Sequence, residues 1–471
     1  MNRRDFGRAV GAGALVSPFA QAATPARIAA RGPSEPVGYV KAVFTYPPTP
    51  KLRQEGYYSW PGSTFDAEGR QKQYTAALER AAAELNLRLE IEPRPLDTKE
   101  DAGRFIAAAK GANPDGLLLI PFKKSHADNL FPIIDETGLP SVVFTTMGVL
   151  LNPIVRQFAS RPKVHVVNSL ENIDAVKQGL KLIQARRRMA DSTIVNIAGD
   201  SRAESRVPHL GARVQRVPLE DFHSLYAKTG RTEEVNERAR RYLREAVRVV
   251  EPDEKDVYES AKCYSVLKEI IRREKADAMM MTCLPGLRNP RRHVPPCMGF
   301  MDLRDEAVPS GCESDLDATL TMMLLQYLFD KPGFQHNPCA DTGRKVYFGA
   351  HCTSASRMQG PDGPREPYAL RSHAEAGWGC VPQVLFPAGQ KVTFGKYHSR
   401  VEPPEMVIYS GTVSGCPANP PAGGCRTNVE VKLEELADPV QVKSHHLCLC
   451  YGEHAGQLRA FCRMHGITAT A

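Results

Sequence analysis

The chain has 471 residues, 42% of them hydrophobic, which is long enough for two or three domains with proper cores. Its formal charge of +8 comes from basic residues scattered among acids, with no stripe of the kind nucleic acid requires. No apolar run reaches the length of a membrane span.

The N-terminus, MNRRDFGRAVGAGALVSPFAQAA, has Arg3 and Arg4 adjacent, then Phe6, then a short and weakly apolar Gly/Ala segment. It ends in Ala20-Gln21-Ala22, a small-x-small cleavage pattern. Residues 1–22 resemble a twin-arginine export signal, which implies a periplasmic or extracellular mature protein; the plainer alternative is a disordered basic tail. Over 38–147 strand-like and helix-like segments alternate: VKAVFTY, TAALERAAAEL, LRLEI, DAGRFIAAAK, DGLLLIPF, PSVVFTT. That rhythm predicts parallel βαβ units with both sheet faces covered, in a first α/β domain over 36–163. No G-x-G-x-x-G follows any of these strands, so a dinucleotide site is not expected. Within YYSWPGSTFD, Tyr57, Tyr58 and Trp60 make an aromatic loop suited either to stacking on a sugar face or to ordinary burial.

A second α/β region over 164–355 contains KVHVV, a helix through GLKLIQARRR, STIVNIAG, two charged helices and the short strand DAMMMTC. Arg186, Arg187 and Arg188 read as a helix end, and the three methionines as core filling. Over 356–471 short β-rich pieces (CVPQVLF, KVTFGKYH, EMVIYSGTV, NVEVKL) are spaced by Gly, Pro and Asn. They predict a small antiparallel sandwich or barrel, closing with a strand that runs into a helix. The expected fold is therefore α/β: two doubly wound domains followed by a smaller, barrel-like β domain.

All 12 cysteines lie at or after Cys263. Cys416 and Cys425 flank a Pro/Gly loop that a disulfide could bridge, while Cys448 and Cys450 alternate with leucine and so share a face. The absence of any C-x-x-C pair counts against a structural zinc site, and most of these cysteines read as buried small hydrophobes.

The stretch GCESDLDATLTMMLLQYL places Glu313, Asp315 and Asp317 at the front of an apolar helix. A charged first turn explains Asp315 and Asp317. Glu313 sits between Cys312 and the helix proper, where a strand or loop end can project it into a cleft. His351 follows an apolar strand, and His445 and His446 precede another, where adjacent side chains should point to opposite faces. A carboxylate with histidines at strand ends is the usual composition of a divalent-metal site, favouring manganese, iron or zinc over calcium.

The layout resembles the L-fucose isomerase and L-arabinose isomerase family. Three segments carry the resemblance: GCESDLDATLTMMLLQYLFDKPGF, YFGAHCTSASRM and HHLCLCYGEHAGQLRAFCRMHGI, about a third of the chain. The resemblance implies a homo-oligomer that binds Mn2+ or another divalent transition metal and interconverts an aldose and a ketose. It makes Glu313 a metal ligand and acid/base residue, His446 a metal ligand, and His351 a further ligand or a substrate contact. The family's second carboxylate falls at Asn337, which can bind a metal weakly but cannot shuttle a proton. Asp341 or His336 would have to take that role, or no acid does. Arg371 and His373 lie in a polar loop and either contact the sugar or belong to the surface. Three functions remain in view: the isomerase, a carbohydrate-binding relative that has lost the second acid, and another metal-assisted reaction such as epimerisation or hydrolysis.

Overall fold

The computed structural model describes residues 36–471 except 56–60, 63, 147–148, 171, 289 and 418–423. The expected signal and the aromatic residues Tyr57, Tyr58 and Trp60 lie outside the described residues.

The first sheet is parallel and contains β1 (Tyr39–Thr45), β2 (Arg88–Ile91), β3 (Gly116–Pro121), β4 (Ser141–Thr145) and β5 (Val164–Asn168), in the order β2-β1-β3-β4-β5. Helices α1 (Thr49–Glu55), α2 (Ala67–Glu84), α3 (Lys99–Ala112), α4 (Leu130–Thr137) and α5 (Asn152–Ala159) connect it. Alternate strand residues enter different cores. Val40, Ala42, Phe44, Leu118 and Val142 pack with α2, whereas Val43, Leu117, Leu119 and Val143 pack with α3 and α4. This double burial is why the strands read as continuous apolar runs. Thr98 opens α3 with a capping box shared with Asp101, and Asn113 ends it in the left-handed conformation.

The second sheet contains β6 (Thr193–Ile197), β7 (Ala203–Arg206), β8 (Arg213–Val217), β10 (Ala278–Met281) and β11 (Ser310–Cys312), in the order β11-β10-β6-β8-β7. It is parallel except for the exposed edge strand β7. Around it lie α6 (Val176–Asp191), α7 (Leu219–Lys228), α8 (Glu233–Glu245), α9 (Glu254–Glu274), α10 (Leu284–Leu287), α11 (Cys297–Asp305) and α12 (Leu316–Phe329). The intervening β9 (Arg248–Val249) joins a three-stranded sheet with β14 (Tyr368–Arg371) and β15 (Val381–Val384).

The C-terminal part is a closed six-stranded antiparallel barrel of β12 (Phe334–Asp341), β13 (Val346–His351), β16 (Lys391–His398), β17 (Glu405–Gly415), β18 (Thr427–Leu433) and β19 (Leu447–Tyr451). Pairing of β16 with β17 completes the circle, which removes the free edges an open sheet would present. Helix α13 (Ala455–Met464) leads to β20 (Thr468–Thr470), which adds in parallel to β17.

Sheet membership shifts two of the expected boundaries. Residues 164–168 complete the first sheet, because the short helix α5 returns the chain beside β4. Residues 334–351 belong to the barrel, because β12 pairs with β19 and β13 with β18. Cys416 and Cys425 are free thiols, and Cys416 Sγ donates instead to the Asn428 carbonyl at 2.9 Å.

Helix α11 is buried along its whole length and ties these parts together. Asp302, 1% exposed, accepts from Arg241 at 2.6 Å, from Tyr242 Oη at 2.7 Å, and from Arg238. Asp305 accepts from Ser356 Oγ at 2.7 Å and from the backbone N–H of Arg357 at 2.7 Å. Burial alone would raise the pKa of Asp302, but the two guanidiniums outweigh it and hold the carboxyl below the ordinary range. Asp302→Asn strands two largely buried arginines and should cost about 3 kcal/mol in urea unfolding. Because the folded pKa is depressed, this contribution is complete above about pH 4 and is lost as pH falls below that value. The gap between wild type and variant should therefore narrow in acid.

Candidate metal centre

Glu313 lies just past the carboxyl end of β11, where ligands collect in open α/β sheets. Glu313 and Ser314 both take the left-handed conformation, with φ of 57° and 52°, a cost of about 1–2 kcal/mol each for a residue with a Cβ. The turn is pinned through Ser314. Its N–H donates to the Met281 carbonyl at 3.1 Å, and its hydroxyl contacts Asn196 Oδ1 at 2.8 Å and Thr282 Oγ1 at 2.7 Å. Glu313 thereby projects out of the sheet, its side chain 37% exposed.

Asp315 is the N-cap of α12: its Oδ1 accepts from the Ala318 N–H at 2.9 Å. Its Oδ2 accepts from Lys396 Nζ at 2.7 Å and from His446 Nδ1 at 2.8 Å. Burial opposes ionisation here, but the His446 and Lys396 hydrogen bonds outweigh it and hold the Asp315 pKa far below the usual range. Asp317 does not cap the helix; it accepts from Ser399 Oγ at 2.5 Å and from the Ser399 N–H at 3.2 Å.

His351 ends β13 and is 1% exposed. His446 precedes β19 in the left-handed conformation, φ 52°. The Ser-His-His segment is therefore not extended, and the His445 ring sits 5.2 Å from that of His446 instead of on the opposite face of a strand. Since the Asp315 carboxylate can only accept, His446 Nδ1 carries a proton there, and Nε2 faces Glu313, 3.7 Å from its Oε2. His351 Nε2 is buried without a hydrogen-bond partner, 3.5 Å from Glu313 Oε1 and outside bonding geometry. All three ligand atoms lie within 4.8 Å of one another. An ion with bonds of about 2.1 Å sets neighbouring ligand atoms about 3.0–3.5 Å apart, so small side-chain adjustments seat one. Two imidazoles, one carboxylate and an orphaned buried nitrogen suit a divalent transition metal such as Mn2+, Fe2+ or Zn2+. The nearby His351 imidazole lowers the pKa of Glu313 against the effect of burial.

The remaining candidates separate. Asn337 is exposed on β12 opposite Ala350. Asp341 sits at the hairpin turn, accepting from the Arg344 N–H at 2.9 Å; it is five strand residues, or about 17 Å, beyond His336. The structure does not bring it to the Glu313 cluster. His336 is fully buried in the barrel. Its Nδ1 donates to the Phe334 carbonyl and its Nε2 accepts from Tyr347 Oη at 2.6 Å, leaving no free nitrogen. Gly349 lies across from it, where a Cβ would come within 2.4 Å of the imidazole ring. Arg371 is buried in a fork with Glu251 and also donates to Gln383, so its donors are spent on structure and not on a surface loop. His373 is 3% exposed and close enough to feel His351 and Glu313; burial pushes its pKa down to about 4.

One further group, Lys396, belongs to the site through its bond to Asp315, and Glu375 acts on the same neighbourhood only through its charge. Lys396 lies in KVTFGKYH on the same side of β16 as Val392 and Phe394, and a lysine at that apolar phase is a readable signal. Glu375 follows β14 in a turn, and no pattern marks it. Burial raises the Cys283 and Cys425 thiols, and Glu313 and Glu375 both add to that rise.

No protein-family model matches this chain, and no curated protein matches it. Among the described residues no helix is long and apolar enough to cross a membrane.

Glu313→Ala and His446→Ala should each abolish stoichiometric uptake of Mn2+, Fe2+ or Zn2+, measured by elemental analysis after dialysis. Asp315→Asn keeps a competent helix cap but leaves buried Lys396 and His446 without their charged partner, so urea unfolding should show a loss of about 3 kcal/mol and the folded variant should bind metal 10–100-fold more weakly.

Proposed function

We propose that the chain is a metal-dependent isomerase that interconverts an aldose and a ketose through an enediol. The observation that carries this reading is the convergence of Glu313, His351 and His446, whose ligand atoms lie within 4.8 Å of one another. A divalent ion held by Glu313, His351 and His446 would supply Lewis acidity toward the bound sugar. Glu313 then holds or moves a proton at the C1–C2 edge of the open-chain sugar. Glu375, exposed and outside the ligand set, serves as the partner acid/base, a role that the amide of Asn337 cannot take and that Asp341 lies too far along β12 to fill. Asp315 and Lys396 keep His446 in one tautomer and orientation. The same reading takes the two parallel-sheet units as doubly wound domains, the leader as an export signal to the periplasm or the cell exterior, and the assembly as a homo-oligomer.

The carbohydrate-binding alternative is favoured by one observation: the barrel strand that could have carried the second acid presents Asn337 instead. Proton exchange decides between the two. Incubating Mn2+-loaded protein with a panel of L-aldoses in D2O should give ketose with deuterium incorporated from solvent, followed by proton NMR. Glu375→Gln should lower that rate about 10²–10⁴-fold while metal content is unchanged. Metal-loaded wild type that binds sugars without exchange would establish the binder instead.

A further inference from the structure

Two histidines outside the Glu313 set share an unexplained feature. His223 on α7 and His293, in the loop before α11, are 7% and 3% exposed, and the Nε2 atom of each is buried without a hydrogen-bond partner among the described residues. Native interiors leave few polar atoms unpaired, and here two of them face one gap. Gly286 on α10 bounds that gap. A Cβ on it would lie 2.1 Å from His293 Nε2 and 3.0 Å from His223 Nε2, so both nitrogens stand within 3.0 Å of one point. Helix α7 follows β8 and α10 follows β10, so both elements leave the second sheet at the carboxyl ends of its strands, where ligands collect in such folds. The tautomers suit a cation. His293 Nδ1 is 2.7 Å from the Val294 carbonyl, which can only accept, so Nδ1 carries the proton. Burial holds the pKa of His293 down at about 4, so the ring is neutral at neutral pH and Nε2 keeps its lone pair. His223 Nδ1 faces Glu220 Oε2 at 3.7 Å, and burial, with Arg292, lowers its pKa too. A carbonyl behind one ring and a carboxylate behind the other is the backing that metal-ligating histidines have.

We propose that His223 and His293 bind Zn2+ through their Nε2 atoms, with solvent at the remaining tetrahedral positions. The ring centroids are 5.3 Å apart. With Zn–N bonds of about 2.0–2.1 Å each centroid stands about 3.2 Å from the ion, and a tetrahedral angle then sets the two centroids about 5.2 Å apart. A linear arrangement would need about 6.4 Å, which rules against an ion that prefers two opposed ligands. Exposed Glu220 marks the solvent side of His223. Binding releases no proton from either ring, because both nitrogens already offer lone pairs. Two protein ligands hold an ion more loosely than three, so this ion leaves in dialysis and is read at equilibrium.

The site is independent of the isomerase reading, and the test keeps the two apart. Wild type and Glu313→Ala, isotope-labelled at the histidine ring nitrogens and kept reduced, are titrated with Zn2+ and followed by long-range proton–nitrogen NMR correlation. Two Nε2 signals, assigned by their absence from His223→Gln and His293→Gln, should start in the range of an unprotonated nitrogen. They should move together into the range of a ligated one, and equally in both proteins. In each histidine variant the remaining partner should no longer move at the same Zn2+ concentration. Gly286→Ala, whose methyl group enters the gap, should lose both movements and is the second variant if a histidine variant does not fold. Neither signal moving in wild type, one moving alone, loss of the movement in Glu313→Ala, or its survival in a folded histidine or glycine variant would each overturn the proposal.

Discussion

The Asp315 carboxylate is the joint on which the site depends. One oxygen caps α12 and the other takes Lys396 from β16 and His446 from the start of β19. A single side chain thus sets the start of a buried helix, neutralises a buried lysine of the barrel and selects the tautomer of a ligand. Charge-assisted bonds of this kind are worth more where water is excluded, and more costly to break. The left-handed turn at Glu313 and Ser314 is tolerated because the same region is anchored on both sides, by Ser314 toward Asn196 and Thr282 and by Asp315 toward the barrel.

The two imidazoles facing Glu313 are held by different chemistries. His446 is backed by a carboxylate, whereas His351 is backed by a sulfur. The first arrangement raises the basicity of the ligand nitrogen; the second leaves it more dependent on the neighbouring thiols.

Much of the architecture was legible because burial leaves a period in the chain. Runs such as LLLI and VVF are apolar at every position, since each strand of the first sheet is covered on both faces. The short strands after β15 announce a barrel. What periodicity does not reveal is registration between distant segments. Asp341 looked close to Asn337 in sequence, yet four residues of extended chain carry it to the far end of a hairpin. The arrangement of His445 and His446 was misread for a related reason: two left-handed residues, Ser444 and His446, interrupt the extended chain that alternation assumes. Asp315 was legible as a cap through its spacing to Ala318, but nothing local discloses that its second oxygen reaches 131 residues along the chain. Glu375 had no pattern at all, since an exposed glutamate in a turn is the commonest of surface residues.

That long reach also governs when the site can exist. The bond between Asp315 and His446 closes a loop of 131 residues, and the barrel seals only when β19 inserts between β12 and β16. Chain made from the N-terminus can complete both α/β sheets while the ligand set still lacks its last member. Assembly of the cluster therefore waits until the segment carrying His446 has docked into the barrel.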